Sequence, residues 1–284
     1  MPELPEVETV RKGLTKLVNG KTIQSVIVRW PRIIEQPSDD EFCHLLIGET
    51  IESIERRGKY LIFKLSHYDM VSHLRMEGKF DYHPTQDDEV TKHAHVLFKF
   101  TDGTELRYLD VRKFGRFTLL PKNGSQTYKG ILKLGPEPIV PDFDLSIFSE
   151  KLKKYKKNIK PLLLDQTLVT GLGNIYVDEA LFQAKIHPET PANQLSKKQM
   201  TLLHQAIIDV LARAVEAGGT TIRTYKNALG NAGTFQVELA VYGHNEEPCP
   251  ICGTTIKKIK VAQRGTHYCP KCQPLYQNSG GYSS

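Results

Sequence analysis

A chain of 284 residues is long for one compact domain, so two or three units are expected. Its 39% hydrophobic content is ordinary for a protein with a real core, and no apolar run approaches the roughly 20 residues of a membrane helix. The formal charge of +6 is a mild basic excess, which leaves polyanion binding to be decided by where the bases cluster.

The start, MPELPEVETVRKG, opens with acids and lacks the basic-then-apolar pattern of a secretory signal, so a cytoplasmic address is expected. Residues 2 to about 18 are expected to be helical. Leu4, Val7, Val10, Leu14 and Leu17 recur there at three- and four-residue steps and form one apolar stripe. Pro2 and Glu3 suit a helix start, where a missing N–H costs little and negative charge meets the helix dipole. From about 22 to 120 the texture turns to β. TIQSVIVRW, YLIFKLS, MVSHLR, AHVLFKF, ELRYLD and RFTLL are rich in β-branched and aromatic residues, and Asp102-Gly103 marks a tight hairpin between two of them. Short strands at that spacing predict a sandwich or barrel. Cys43, beside Phe42, Leu45 and Leu46, reads as a small buried hydrophobe.

LGPEPIVPDFD (134–144) holds three prolines and one glycine and reads as a linker, after which helical texture takes over. In KLKKYKKNIK, Lys151, Lys153, Lys154, Lys156, Lys157 and Lys160 crowd together, which is either a solvated helix face or a surface for a polyanion. Two helices broken by DQTLVTGLGN lead to the clearest one, over 197–217. Ser196 and Gln199 form its capping-box signature and Gly218-Gly219 stop it. The expected division is an N-terminal helix plus β-sandwich over 1–134, a linker over 135–144 and a helical domain over 145–235. A cysteine-bearing module over 236–276 and a disordered tail over 277–284 complete it.

Cys249-Pro-Ile-Cys252 and Cys269-Pro-Lys-Cys272 have the spacing of a zinc site. A two-residue spacer lets both thiolates of a pair reach one tetrahedral ion, and the intervening segment is the length of a β-hairpin. Four ligands leave no open coordination position, so one structural Zn2+ is expected; the competing account is two redox or disulfide pairs. The hairpin is basic, with Lys257, Lys258, Lys260 and Arg264, as a phosphate or groove reader would be.

MPELPEVETV, GLGNIYVDEALF and QRGTHYCPKCQ, in that order, together resemble the formamidopyrimidine-DNA glycosylase family, and the resemblance spans essentially the whole chain. It implies an α+β multidomain protein: an N-terminal β-sandwich, a helical domain with a helix–two-turns–helix motif, and a C-terminal zinc-finger β-hairpin. The activity it implies is that of a bifunctional DNA glycosylase and AP lyase of base excision repair, associated with the bacterial nucleoid. Such a monomer removes 8-oxoguanine and formamidopyrimidines from double-stranded DNA.

The resemblance also implies site residues. Met1 would be removed to free Pro2 as a secondary amine, and Glu3 would be the acid/base residue. Glu6, one turn on, either orients the amine or is a surface acid facing the helix dipole. Lys59 in RRGKYLIF matches the lysine of β-elimination, and Arg264 in QRGTHYC the arginine of δ-elimination, with Gln263 standing where the family more often has glycine. Met76, Arg112 and Phe114 match side chains inserted into the duplex when a base is flipped out; read alone, Met76 and Phe114 are core residues. Phosphate contacts fall to His73, His93, Asn174, Lys258 and Arg264. Asn174 either meets an anion at a helix N-terminus or caps a tight turn. GTTIRTY (219–225) corresponds to a loop closing over the everted base. Two alternatives stay open: the sister activity on oxidised pyrimidines, and a damaged-DNA binder without catalysis if Met1 stays attached.

Overall fold

In the computed structural model, which describes residues 1–87, 89–220 and 233–275, the chain divides into two units. The first comprises Met1–Leu134 and Ala214–Gln236. Helix α1 (Leu4–Val18) buries Val7, Val10, Leu14 and Val18, each such side chain stabilising the fold by roughly 1.5–3 kcal/mol. The strands are β1 (Ile23–Val28), β2 (Ile34–Gln36), β3 (Ile51–Arg57), β4 (Tyr60–Leu65), β5 (Tyr68–His73), β6 (Lys79–His83), β7 (Ala94–Phe100), β8 (Glu105–Leu109) and β9 (Arg116–Pro121). They make a four-stranded sheet, β1-β7-β8-β6, and a five-stranded sheet, β2-β9-β5-β4-β3. Every pairing is antiparallel except that of β2 with β9.

One core joins the two sheets. Phe98 and Tyr108 from the first meet Phe117 from the second at ring-centre distances of 6.0 and 4.9 Å, and the α1 stripe packs into the same cluster. The β texture is interrupted by a helix, α2 (Asp39–Leu46), capped by the Ser38 side chain accepting from Glu41 N–H. Cys43 lies on it and is half-buried. The Asp102-Gly103 hairpin is present between β7 and β8, with Gly103 at φ +84°. A short helix, α3 (Lys129–Leu132), follows β9.

The second unit comprises Gly135–Arg213 and Val237–Ser284. It holds α4 (Leu145–Lys153), α5 (Ile159–Leu164), α6 (Asn174–Gln183), most of α7 (Lys197–Glu216), and the hairpin β10 (Lys257–Val261) and β11 (Arg264–Tyr268). The Ser196/Gln199 capping box is made in both directions. Ser196 N–H donates to Gln199 Oε1 at 2.9 Å and Gln199 N–H to Ser196 Oγ at 3.2 Å. α6 is buried nearly all round, from Ile175 to Phe182, as expected of a helix covered on every side. Among the described residues no helix is long and apolar enough to cross a membrane. The tail 277–284 lies outside the described residues.

Candidate functional site

Pro2 does not begin a helix, contrary to the expectation from residue 2 onward. α1 starts at Leu4, with Pro5 in its first turn and Glu3 as N-cap. Pro5 occupies the position where a missing N–H is harmless, and Glu6 Oε2 accepts the Glu3 N–H at 2.9 Å, fixing the residue ahead of the helix. Pro2 is buried, as are Glu3 (2% exposed) and Glu6 (4%). Glu6 is therefore not a surface acid. Its Oε1 accepts from the Thr220 N–H at 2.8 Å and from the Thr220 hydroxyl at 3.2 Å, tying the N-terminus to the segment after α7. Gly219 stands at φ +80°, and a Cβ there would sit 2.6 Å from Glu6 Oε1, so conformation and space both demand glycine. Of the 219–225 loop, residues 221–225 lie outside the described residues.

Lys59 and Gly58, the latter at φ +56°, form the two-residue turn between β3 and β4. Lys59 is only 7% exposed, unlike a solvated charge at a strand start. His73 ends β5, edge-on to Tyr60 at 4.6 Å, and its Nδ1 accepts the Arg75 N–H at 3.0 Å. Burial, then the positive charges of Arg75 and Lys59, push its pKa down to about 3. The imidazole is thus neutral at physiological pH, with its proton on Nε2 as a hydrogen-bond donor.

Met76 is half-buried in the turn after β5, beside Arg75 at φ +55°. Arg112 and Phe114 project from the β8–β9 loop. Phe114 is 45% exposed, and the Arg112 guanidinium lies over its ring at 4.8 Å. Buried Asp110 shapes this loop: Oδ1 accepts the Arg112 N–H at 3.0 Å, Oδ2 the Gly115 N–H at 2.7 Å. His93 sits half-buried just before β7, its carbonyl accepting the Asp110 N–H at 3.0 Å. Neither Met76 nor Phe114 is a core residue.

In the second unit Asn174, Lys258 and Arg264 gather around one hairpin turn. Asn174 is the first residue of α6, and Gly173, not Asn174, is the N-cap. Asn174 Nδ2 donates to the Gly265 carbonyl at 2.9 Å, while its Oδ1 is buried with no hydrogen-bond partner among the described residues. Lys258 and Arg264 are exposed. Behind them, Lys160 is fully buried and does not belong to a solvated lysine face. Its Nζ donates to Asp178 Oδ1 at 2.7 Å, Thr266 Oγ1 at 2.8 Å and the Gly265 carbonyl at 3.3 Å. Asp178 Oδ2 accepts the His267 N–H at 2.8 Å. The turn itself, Ala262-Gln263, has two positive φ angles, 45° and 65°, without a glycine.

Cys249, Cys252, Cys269 and Cys272 place their sulfurs within 4.8 Å of one another, with 3.9 Å between Cys249 and Cys272 and 3.5 Å between Cys252 and Cys269. A tetrahedron of sulfurs around zinc has edges of about 3.8 Å. The four thiols therefore fit one ion, and they leave it no open position.

Three family models match the chain: the formamidopyrimidine-DNA glycosylase N-terminal domain over residues 1–117, the formamidopyrimidine-DNA glycosylase H2TH domain over 134–226, and the zinc finger found in FPG and IleRS over 246–275. The formamidopyrimidine-DNA glycosylase of Enterococcus faecalis is 71% identical over 275 residues, which cover 97% of this chain and 98% of the relative. The chain belongs to the formamidopyrimidine-DNA glycosylase family. The Bacillus subtilis member is 54% identical over 274 residues, 96% of this chain and 99% of the relative. Among solved structures, a Lactococcus lactis Fpg in complex with abasic-site DNA superposes with a TM-score of 0.92 at 50% identity, covering 96% of this chain and 100% of that one. A Lactococcus lactis FPG mutant bound to Fapy-dG DNA gives 0.92 at 49%, with the same coverage. The match to the zinc finger and the converging thiols agree on one structural zinc ion.

Sequence reasoning missed the residues that hold the candidate site residues in place. Asp178 anchors the finger turn through Lys160, and Glu179 accepts three backbone N–H groups, from Ala240 (2.8 Å), Val241 (2.9 Å) and Tyr242 (2.8 Å). A signal was available: Asp178-Glu179 are adjacent acids inside the apolar run IYVDEALF, and buried acids need partners. Asp110 was legible too, as an aspartate opening a turn that ends in glycine.

Proposed function

We propose that this chain excises oxidised purines, 8-oxoguanine and formamidopyrimidines, from duplex DNA and then cuts the strand at the resulting abasic site. The observation that carries this reading is the placement of Pro2, ahead of its helix and beside the buried carboxylates of Glu3 and Glu6. Removal of Met1 turns the Pro2 nitrogen into a secondary amine. With an α-amino pKa of roughly 8, a useful fraction is unprotonated at neutral pH. That amine attacks the sugar C1′ and the damaged base leaves. The nitrogen loses its proton, and the C1′–O4′ bond then breaks with a proton delivered to O4′. The resulting iminium keeps its positive charge, because a secondary amine has no second proton to lose. It is an electron sink that acidifies the C2′ hydrogen, which permits β-elimination of the 3′ phosphate and then δ-elimination on the 5′ side.

Glu3 moves protons during sugar-ring opening, and Glu6 holds the Glu3 backbone in place. Lys59 serves β-elimination and Arg264 δ-elimination, each also meeting a phosphate. Neutral His73, His93, Asn174 and Lys258 supply further phosphate contacts. Flipping a base leaves a hole costing a few kcal/mol; Met76, Arg112 and Phe114 fill it, and their half-buried or exposed settings leave them available to do so. The four cysteines hold the zinc, which cross-links the finger and takes no part in the chemistry. The Lactococcus lactis complexes with abasic-site and Fapy-dG DNA support duplex DNA as the ligand. Incubation with matched duplexes carrying 8-oxoguanine or thymine glycol tests the substrate. Base release and β,δ-cleavage favouring 8-oxoguanine are expected, and the reverse preference overturns the assignment to purines.

A further inference from the structure

The proposed duplex-reading side chains of the first unit sit on two loops, Met76 between β5 and β6, Arg112 and Phe114 between β8 and β9. One side chain touches both loops. Tyr108, on β8, is wholly buried, its ring edge-on to Phe80 at 5.2 Å and to Phe117 at 4.9 Å. A Cβ built on Gly78 would overlap the Tyr108 hydroxyl, and so would a Cβ built on Gly115, both far inside the 3.0 Å that real Cβ contacts keep. Neither glycine has a positive φ, so space and not backbone conformation demands them. Gly78 lies two residues after Met76, and Gly115 directly after Phe114. Each loop is also closed on itself: Gly78 N–H donates to the Leu74 carbonyl at 3.0 Å and Gly115 N–H to Asp110 Oδ2 at 2.7 Å. A push on either glycine therefore moves a whole loop.

We infer that Tyr108 is a positioning residue, whose hydroxyl end is the spacer that sets the Met76 loop and the Arg112–Phe114 loop at one fixed separation. The inference rests on the proposed insertion of those three side chains into DNA. Its physical basis is close packing: an interior without slack transmits a one-atom change, and overpacking is relieved only by moving one of the parts.

The chain's one tryptophan supplies a readout that needs no DNA. Trp30 carries the Lys113 ammonium 4.0 Å from its ring centre, and Lys113 lies between Arg112 and Phe114. Trp30 emission thus reports the β8–β9 loop. Gly115→Ala should shift that emission and weaken binding to a duplex with an abasic-site analogue roughly tenfold or more. Adding Tyr108→Phe removes the overlapping oxygen and should recover part of both changes. Gly78→Ala, on the other loop, should also shift Trp30 emission, and Tyr108→Phe should reduce that shift. Where Gly115→Ala does not fold, recovery of a cooperative thermal transition in the double variant supports the same contact. Losses that merely add in the double variants, or Trp30 emission unmoved by Gly78→Ala, overturn the spacer role. Failure of the wild-type chain to bind the lesion duplex, with Trp30 cross-talk intact, sinks the insertion reading and leaves Tyr108 as the spacer.

Discussion

The two units hold their candidate site side chains by opposite means. In the first, the work is done by backbone shape: the Gly58-Lys59 turn, the Gly219 contact on Glu6, the Asp110 loop and glycines with no room for a methyl group. In the second, the exposed Lys258 and Arg264 ride on a turn fixed from behind by a buried ion pair, by Asn174 and by four thiols. The contrast shows where each is fragile. Shape fails when an atom is added, whereas a charge network fails when one partner is removed.

The largest effect should come from the metal. Stripping zinc, or Cys249→Ser, removes a site whose binding free energy is folding free energy, of order 10–16 kcal/mol in zinc-finger peptides. Duplex affinity should collapse while the first unit keeps its thermal transition; unchanged affinity would break the comparison at its strongest point. Next comes Lys160→Ala, which strands Asp178 in the interior and should cost about 3–5 kcal/mol of stability. Lys160→Met with Asp178→Leu should recover only part of it, because the His267 N–H loses its acceptor, and thermal melts of the two variants check the difference. If the single variant melts like wild type, the second unit does not depend on charge.

In the first unit, pH sharpens the contrast. His73 stays neutral in the fold down to about 3, whereas its ordinary value is 6.5. Between these values the unfolded chain binds the extra proton, so stability rises with pH through that window. The contribution is whole above pH 6.5 and is lost as pH falls towards about 3. His73→Gln should flatten the acid limb of a melting series, and parallel curves would contradict the burial account. The smallest effect is expected at Gln263, whose φ of 65° is left-handed. Gln263→Gly should raise stability by on the order of 1 kcal/mol, with duplex affinity unchanged; a lower melting temperature would count against strain in this turn.

Sequence carried the outline of both units, because α1 repeats its apolar residues at helical steps, the strands are β-branched and aromatic, and the cysteine pairs have metal spacing. It also carried, through motif resemblance, the list of candidate site residues. It did not carry their settings. Lys160 looked like one more surface lysine because a lysine run says nothing of what stands opposite, and only Asp178, eighteen residues on, makes it a core residue. Pro2 and Pro5 compete for one helix start; local pattern favours Pro2, whereas the Glu3–Glu6 hydrogen bond sets the start of the helix around Pro5. Gly78 is thirty residues from Tyr108 and Gly115 seven, and only the fold brings both glycines against one hydroxyl.

The most direct test is borohydride reduction during reaction with an 8-oxoguanine duplex, followed by mapping of the trapped residue. A stable adduct on Pro2, in protein lacking Met1, is the predicted result. Trapping on a lysine such as Lys59, or efficient strand cutting by protein that retains Met1, would contradict the claim that the amino-terminal nitrogen performs the chemistry.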